Sequence, residues 1–276
     1  MWTDAARERY KDDGRRTPSD LTDAEWRTIE PVLRSCATLK VDLRERVNAC
    51  LYLKKAGCPW RYLPREFGPW QSVRSWHDRF RSDGLWSDIA ILLTRAVRAQ
   101  QGRAAEPTTA ILDSQSVASG PQSRRGHARG RWQQAGARHR APRADPLAGL
   151  RAGRARDHGQ RARHAAVGAL LDRATQDGWS IEHAKVDGIH VGPRMAQAAQ
   201  EHDLDVQVTT RETGVKGLPP LAPRWRIEAT FGTLSNRWHR LTRNLEQSPA
   251  AAEDPVSIAN CPRLLCAYHR PEYRIA

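Results

Sequence analysis

Three acidic residues stand in settings suited to phosphodiester chemistry. Asp113 closes the run TTAILD, Asp187 closes IEHAKVD, and Glu228 lies within the amphipathic stretch PRWRIEATFGTLSNRWHRLTRNL. Cutting or joining a phosphodiester with two divalent cations requires carboxylates at the ends of neighbouring elements. They hold the ions about 3.5–4 Å apart, one beside the attacking oxygen and one beside the leaving oxygen. Two strand ends and a helix face supply such a set. Hard oxygen donors with no clustered His or Cys select two Mg2+ (or Mn2+) ions over zinc. Taken singly, an Asp at a strand end is ordinarily a turn residue and a Glu on a helix is ordinarily solvated. The contexts LDSQSV, VDGIHVG and RWRIEATFGTL give the set its meaning.

The elements that must position these residues fall into two groups. Up to about residue 105 the pattern is helical. Thr22 and Glu25 form a capping box ahead of LTDAEWRTIEPVL, with Trp26, Ile29 and Leu33 on one face. A second helix runs through DLRERVNACLYLKKAG and stops at Gly57, and the Pro- and aromatic-rich loop CPWRYLPREFGPW follows. A third, QSVRSWHDRFRSDG, spaces Val73, Trp76 and Phe80 helically and ends at Gly84; a fourth surrounds LWSDIAILLTRAV. Helices of this kind suit a helix-turn-helix-like DNA-binding domain over 1–105. Arg74, Arg79 and Arg81 on the third helix are its candidate phosphate contacts, although a solvated face accounts for them equally well. Beyond residue 105, TTAILDSQSV, IEHAKVDGIHVG and LDVQVTT read as strands and PRMAQAAQEHD as a helix. That alternation implies an α/β domain over 106–276.

The chain of 276 residues carries a formal net charge of +14, which points to an acidic partner such as nucleic acid. The excess is local. Residues 1–120 hold 20 Lys/Arg against 16 Asp/Glu, residues 121–164 hold 12 against 2, and residues 165–276 hold 13 against 13. The 121–164 stretch is rich in Arg, Ala, Gly, Pro and His and lacks apolar periodicity, so it cannot bury enough surface to fold alone. It reads either as a basic linker gripping phosphate or as coding DNA translated out of frame. No apolar run approaches the roughly 20 residues of a membrane helix, and the charged opening MWTDAARERYKDDGRR lacks a signal peptide's apolar core. A cytoplasmic location is the expectation. The five cysteines form no CxxC or zinc-like pattern, and Cys50 reads as a small buried hydrophobe.

In their order and contexts these segments resemble the DDE transposases of the bacterial insertion-sequence-five family. LTDAEWRTIEPVL and DLRERVNACLYLKKAGCPWRYLPREFGPWQSV look like that family's opening domain. DSQSV, VDGIHVG and PRWRIEATFGTL look like its three catalytic segments, carrying Asp113, Asp187 and Glu228, with Arg224 four residues before the glutamate as a substrate contact. The resemblance implies a ribonuclease-H-like mixed-sheet catalytic domain with Asp113, Asp187 and Glu228 as metal ligands. It also implies double-stranded DNA partners (terminal inverted repeats and target), and a homodimer bridging two ends.

One stretch departs from the pattern. Between the first two catalytic segments the family has a Val-rich run close to GYDxGKKVxGRKRHxxVDTxGLxLAVxVTPAxxxD. Residues from about Gly126 to Arg163 fill that length with none of it, and similarity resumes at HAAVGALLDRATQDGW. A pair of compensating frameshifts fits this arrangement. The expectation is therefore a sheet with its middle strands lost, and a chain that folds poorly and lacks activity. Ile189 and His190 also replace a usual Gly and Tyr. Two functions compete: a metal-dependent transposase, and an inactive remnant that binds terminal inverted repeats without catalysis. A third, an unrelated basic nucleic-acid protein, rests only on the net charge.

Overall fold

Helices form where apolar spacing and end signals coincide. The computed structural model describes residues 15–33, 41–119, 132–139, 152–156, 171, 174–187, 193–209, 232–234, 236–244 and 249–270. Helix α1 spans Asp23–Leu33. Its capping box is closed in both directions: the Glu25 amide donates to Thr22 Oγ1 at 3.3 Å and the Thr22 amide to Glu25 Oε2 at 2.8 Å. Helix α2 (Leu43–Ala56) begins at Asp42, which accepts from the Glu45 amide, and ends at Gly57 in the left-handed region. Helices α3 (Trp70–Ser82) and α4 (Leu85–Gln100) follow, joined only by Asp83 and Gly84. The α2–α3 connection is longer and contains two 3-10 turns, Trp60–Tyr62 and Arg65–Phe67. The short turn characteristic of a helix-turn-helix thus occurs between α3 and α4.

The last described helix, α6 (Pro249–His269), lies along α4 and also touches α1 and α2. It buries Val256, Ile258, Leu264 and Leu265 among Ile29, Leu33, Val47, Leu51, Phe80, Ile89 and Leu93. Each such side chain contributes roughly 1.5–3 kcal/mol through burial. The helical core therefore does not end near residue 105; it draws on chain from both sides of the sheet. A second, smaller core of Leu53, Leu63, Phe67 and Val73, with Trp60 and Trp70 on its rim, pins the two 3-10 turns against α2 and α3.

The sheet contains β1 (Thr109–Ser119), β2 (Trp132–His139), β3 (Ala152–Arg156), β4 (His183–Asp187) and β5 (Asp205–Thr209), in spatial order β3-β2-β1-β4-β5. Strands β1, β4 and β5 are parallel, with α5 (Pro193–Glu201) connecting the last two. Ala110 and Ile111 are both buried, so β1 is covered on both faces at its start, as a central parallel strand is. Strand β6 (Arg243–Asn244) pairs with the far end of β1.

Two expectations need correction. The middle strands are not lost: β2 pairs antiparallel with β1 from Ala110↔His139 to Val117↔Trp132, and β3 continues the sheet beyond β2. Ladder pairing is made by backbone N–H and C=O groups, and the open edge of β1 offers a row of them whatever the side-chain pattern opposite. The amphipathic stretch ending at Leu245 is also not one helix. Trp238 is extended (φ −127°, ψ 92°), a 3-10 turn spans His239–Leu241, and β6 follows. Docking against α2 and pairing with β1 override the helical periodicity there.

Candidate functional site

The site is assembled from the α4–β1 junction outward. Arg98, buried in α4, donates from Nε to the Ala104 carbonyl at 2.7 Å. Arg95 Nε lies 2.8 Å from Glu106 Oε1, and its guanidinium sits 5.3 Å above the Trp179 ring. These contacts fold the chain back so that β1 starts at the edge of the helical layer. The Thr108 carbonyl then accepts from the Glu182 amide at 2.8 Å and the His183 amide at 3.0 Å, which sets the register of β4 on β1.

That register runs from Thr109↔His183 to Leu112↔Val186. Asp113 and Asp187 are the next residues on their strands, so each directly follows the last paired position of the β1–β4 ladder. Asp113 also stands opposite Gly136 on β2, and Asp187 opposite Thr209 on β5. Asp187 ends β4 as expected. Asp113 does not end β1, which continues to Ser119 because β2 and β6 pair with its later residues. It marks instead the point where β1 and β4 part. Among the described residues, β1 has no parallel partner between Leu112 and Ala118, which pairs with Arg243. Crevices at the carboxyl ends of parallel strands are where α/β sheets bind ligands.

Glu228, Arg224, Ile189 and His190 lie outside the described residues. The chain after Glu228 is anchored closely. Leu234 and Trp238 are buried in the helical core, and the Arg240 guanidinium donates to the Cys58 carbonyl at 3.1 Å. Lys55 lies 5.0 Å above the Trp238 ring, its ammonium pushed below the usual lysine range by burial and by the nearby Arg237 charge. Arg240 and helix α6 escaped sequence reasoning. The signal for α6 was present: Cys261, Leu264 and Leu265 recur at helical spacing.

Arg74 and Arg79 are exposed and Arg81 is half-buried, and each is matched by an acid on α3 or at its end. Arg74 Nε is 3.8 Å from Asp78, Arg81 is 3.2 Å from Asp78, and Arg79 is 3.6 Å from Asp83. The adjacent His77 ring, 3.6 Å away, together with the Arg81 and Arg74 charges, holds the Asp78 carboxyl below the usual carboxylate range against an opposing effect of burial. A polar cleft of about 370 Å³ opens between the chain preceding α1 and the start of α2. Its charges satisfy one another: Arg16 forks onto Glu45 at 2.8 and 2.6 Å, and Arg44 meets Asp23 at 2.6 Å. Among the described residues no group of three or more His, Cys, Asp or Glu is gathered for a metal ion, and no helix is long and apolar enough to cross a membrane.

No curated protein matches the chain. Residues 21–90 match the family described as "Putative transposase of IS4/5 family (DUF4096)". That segment runs from the capping box of α1 through both 3-10 turns and into α4. Over residues 21–90, the chain is similar to the putative transposases of the IS4/5 family.

Proposed function

We propose that this chain is a DDE transposase that cuts DNA at insertion-sequence ends and joins the freed 3′-hydroxyl to target DNA. The observation that carries the reading is the neighbouring register of Asp113 and Asp187 at the divergence of β1 and β4. Two carboxylates that follow the last paired positions of adjacent parallel strands repel each other, and a bound cation relieves that repulsion. Carboxylate oxygens fit Mg2+ or Mn2+; Asp113 and Asp187 would hold the ions, with Glu228 completing the set. When bound, two such ions supply activation of the attacking oxygen and stabilisation of the leaving one. The protein's part is to fix the two aspartates on a ribonuclease-H-like mixed sheet. Residues 1–105 would serve as the DNA-binding domain, Arg224 as a substrate contact, and a homodimer would bridge two ends.

The test is nicking of a labelled inverted-repeat duplex by the full chain with Mg2+ or Mn2+. Asp113→Asn and Asp187→Asn should each lower the rate on the order of 100-fold or more, about 2.7 kcal/mol, with unchanged circular dichroism. Undiminished nicking by either variant sinks the reading. The departure from the family pattern between Gly126 and Arg163 favours a second reading, a remnant that occupies terminal inverted repeats without catalysis. A footprint on the repeats with no metal-dependent nicking selects it.

A further inference from the structure

The helix expected to contact phosphate is not the most electropositive feature of the helical layer. Each of its three arginines sits within 3.8 Å of an aspartate on the same helix or at its end, so its charge is largely compensated. The connection between α2 and α3 differs. Arg61 and Arg65 are exposed, and no ion pair joins either to a carboxylate among the described residues. The nearest acid in sequence, Glu66, forms an ion pair with neither arginine. Between the two arginines stands Tyr62, 77% exposed, which is far more than any other large hydrophobic side chain among the described residues.

This display is packed from below. Leu63 and Phe67 are buried beneath it, and Arg46 holds the Phe67 carbonyl at 2.9 Å. The Arg61 guanidinium lies 6.0 Å from the Trp70 ring, and Arg74 lies 6.0 Å from Trp60, whose ring meets His77 edge-on at 5.3 Å. Two guanidinium groups without a carboxylate partner, flanking an exposed ring on a turn fixed from below, match a sugar–phosphate backbone. The cations meet phosphates and release counterions, while the ring offers an apolar face to sugar or base.

We infer that the turn Trp60–Arg65, and not the outer face of α3, is the principal duplex-gripping surface of the helical layer, with Arg61 and Arg65 on phosphates and Tyr62 against the strand between them. The inference rests on the DNA-binding reading above and changes which residues carry it.

The experiment measures binding of the full chain to a fluorescein-labelled duplex of random sequence by anisotropy, across a range of salt concentrations. Arg61→Ala with Arg65→Ala should reduce the log–log salt slope by about 1.8, roughly 0.9 for each phosphate no longer neutralised. Arg61→Lys with Arg65→Lys should keep the slope. Tyr62→Ala should weaken binding at every salt concentration without altering the slope, and Arg79→Ala with Arg81→Ala should leave it nearly unchanged. A slope that falls only in the α3 pair, or one that the Arg61/Arg65 alanine pair leaves intact, overturns the inference while leaving DNA binding standing. A wild-type chain that binds no duplex at low salt overturns both.

Discussion

Arg240 and the Cys58 carbonyl are joined at 3.1 Å across 182 residues of sequence. Arg240 is 5% exposed, so its donor has little water to fall back on. Its hydrogen bond fastens the chain that follows Glu228 to the end of α2, just before that chain adds β6 to the strand bearing Asp113.

Arg240→Met keeps most of the packed volume and removes the charged donor. It should lower stability by about 1.5–3 kcal/mol, the usual range for a hydrogen bond to a charged group. The fall appears as an earlier urea midpoint with an unchanged slope. A midpoint within error of the parent would show that the contact is replaceable by water.

Gly57 and Gly84 both have positive φ, 68° and 71°, yet they should respond differently to alanine. At Gly84 nothing lies within 4 Å of an added Cβ, and the cost is the left-handed backbone alone, about 1–2 kcal/mol. At Gly57 the new carbon would stand 2.8 Å from His239 Cβ and 3.1 Å from the His239 carbonyl carbon. Overpacking of about 1–3 kcal/mol adds to the backbone cost there. Parallel melts should therefore rank Gly57→Ala well below Gly84→Ala; equal melts would mean that the His239 turn moves aside freely.

Asp78 sets an expectation for acid stability. Its pKa is depressed in the folded chain by the adjacent His77 ring and by Arg81 and Arg74. A depressed carboxyl contributes stability above its unfolded pKa of about 3.9 and loses it as pH falls through the lower folded value. Asp78→Asn should thus be less stable than the parent at neutral pH, with the gap closing below about pH 4. Urea titrations at several pH values read this directly, and a gap that widens toward acid would contradict it.

How much of this was legible in the residues depended on whether local chemistry decided the outcome. The α1 capping box, the Gly57 stop and the LDVQVTT strand were legible because caps, left-handed glycines and alternation act within a few residues. The neighbouring register of Asp113 and Asp187 was only half visible. Sequence marks each as following an apolar run, but their adjacency comes from the Thr108 carbonyl meeting Glu182 and His183. The break at Trp238 and the docking of Arg240 were invisible, since both are imposed by contacts with α2 and β1. Strands β2 and β3 were missed for a related reason: apolar periodicity reports buried faces, whereas pairing with an open edge is a backbone matter.

Helix α6 closes the same core that α1 to α4 open, although the ribosome makes it only after every strand of the sheet. The amino-terminal helices therefore emerge with Leu93, Ile89 and Val47 lacking their final cover, and they keep it incomplete through the synthesis of more than a hundred further residues. Assembly of this layer is consequently a late, long-range event, and contacts of such separation slow folding. A fragment limited to residues 21–90 would carry the family's sequence signature while leaving its apolar face to solvent, prone to self-association. Full-length translation, more than the local strength of any helix, decides whether the helical layer forms.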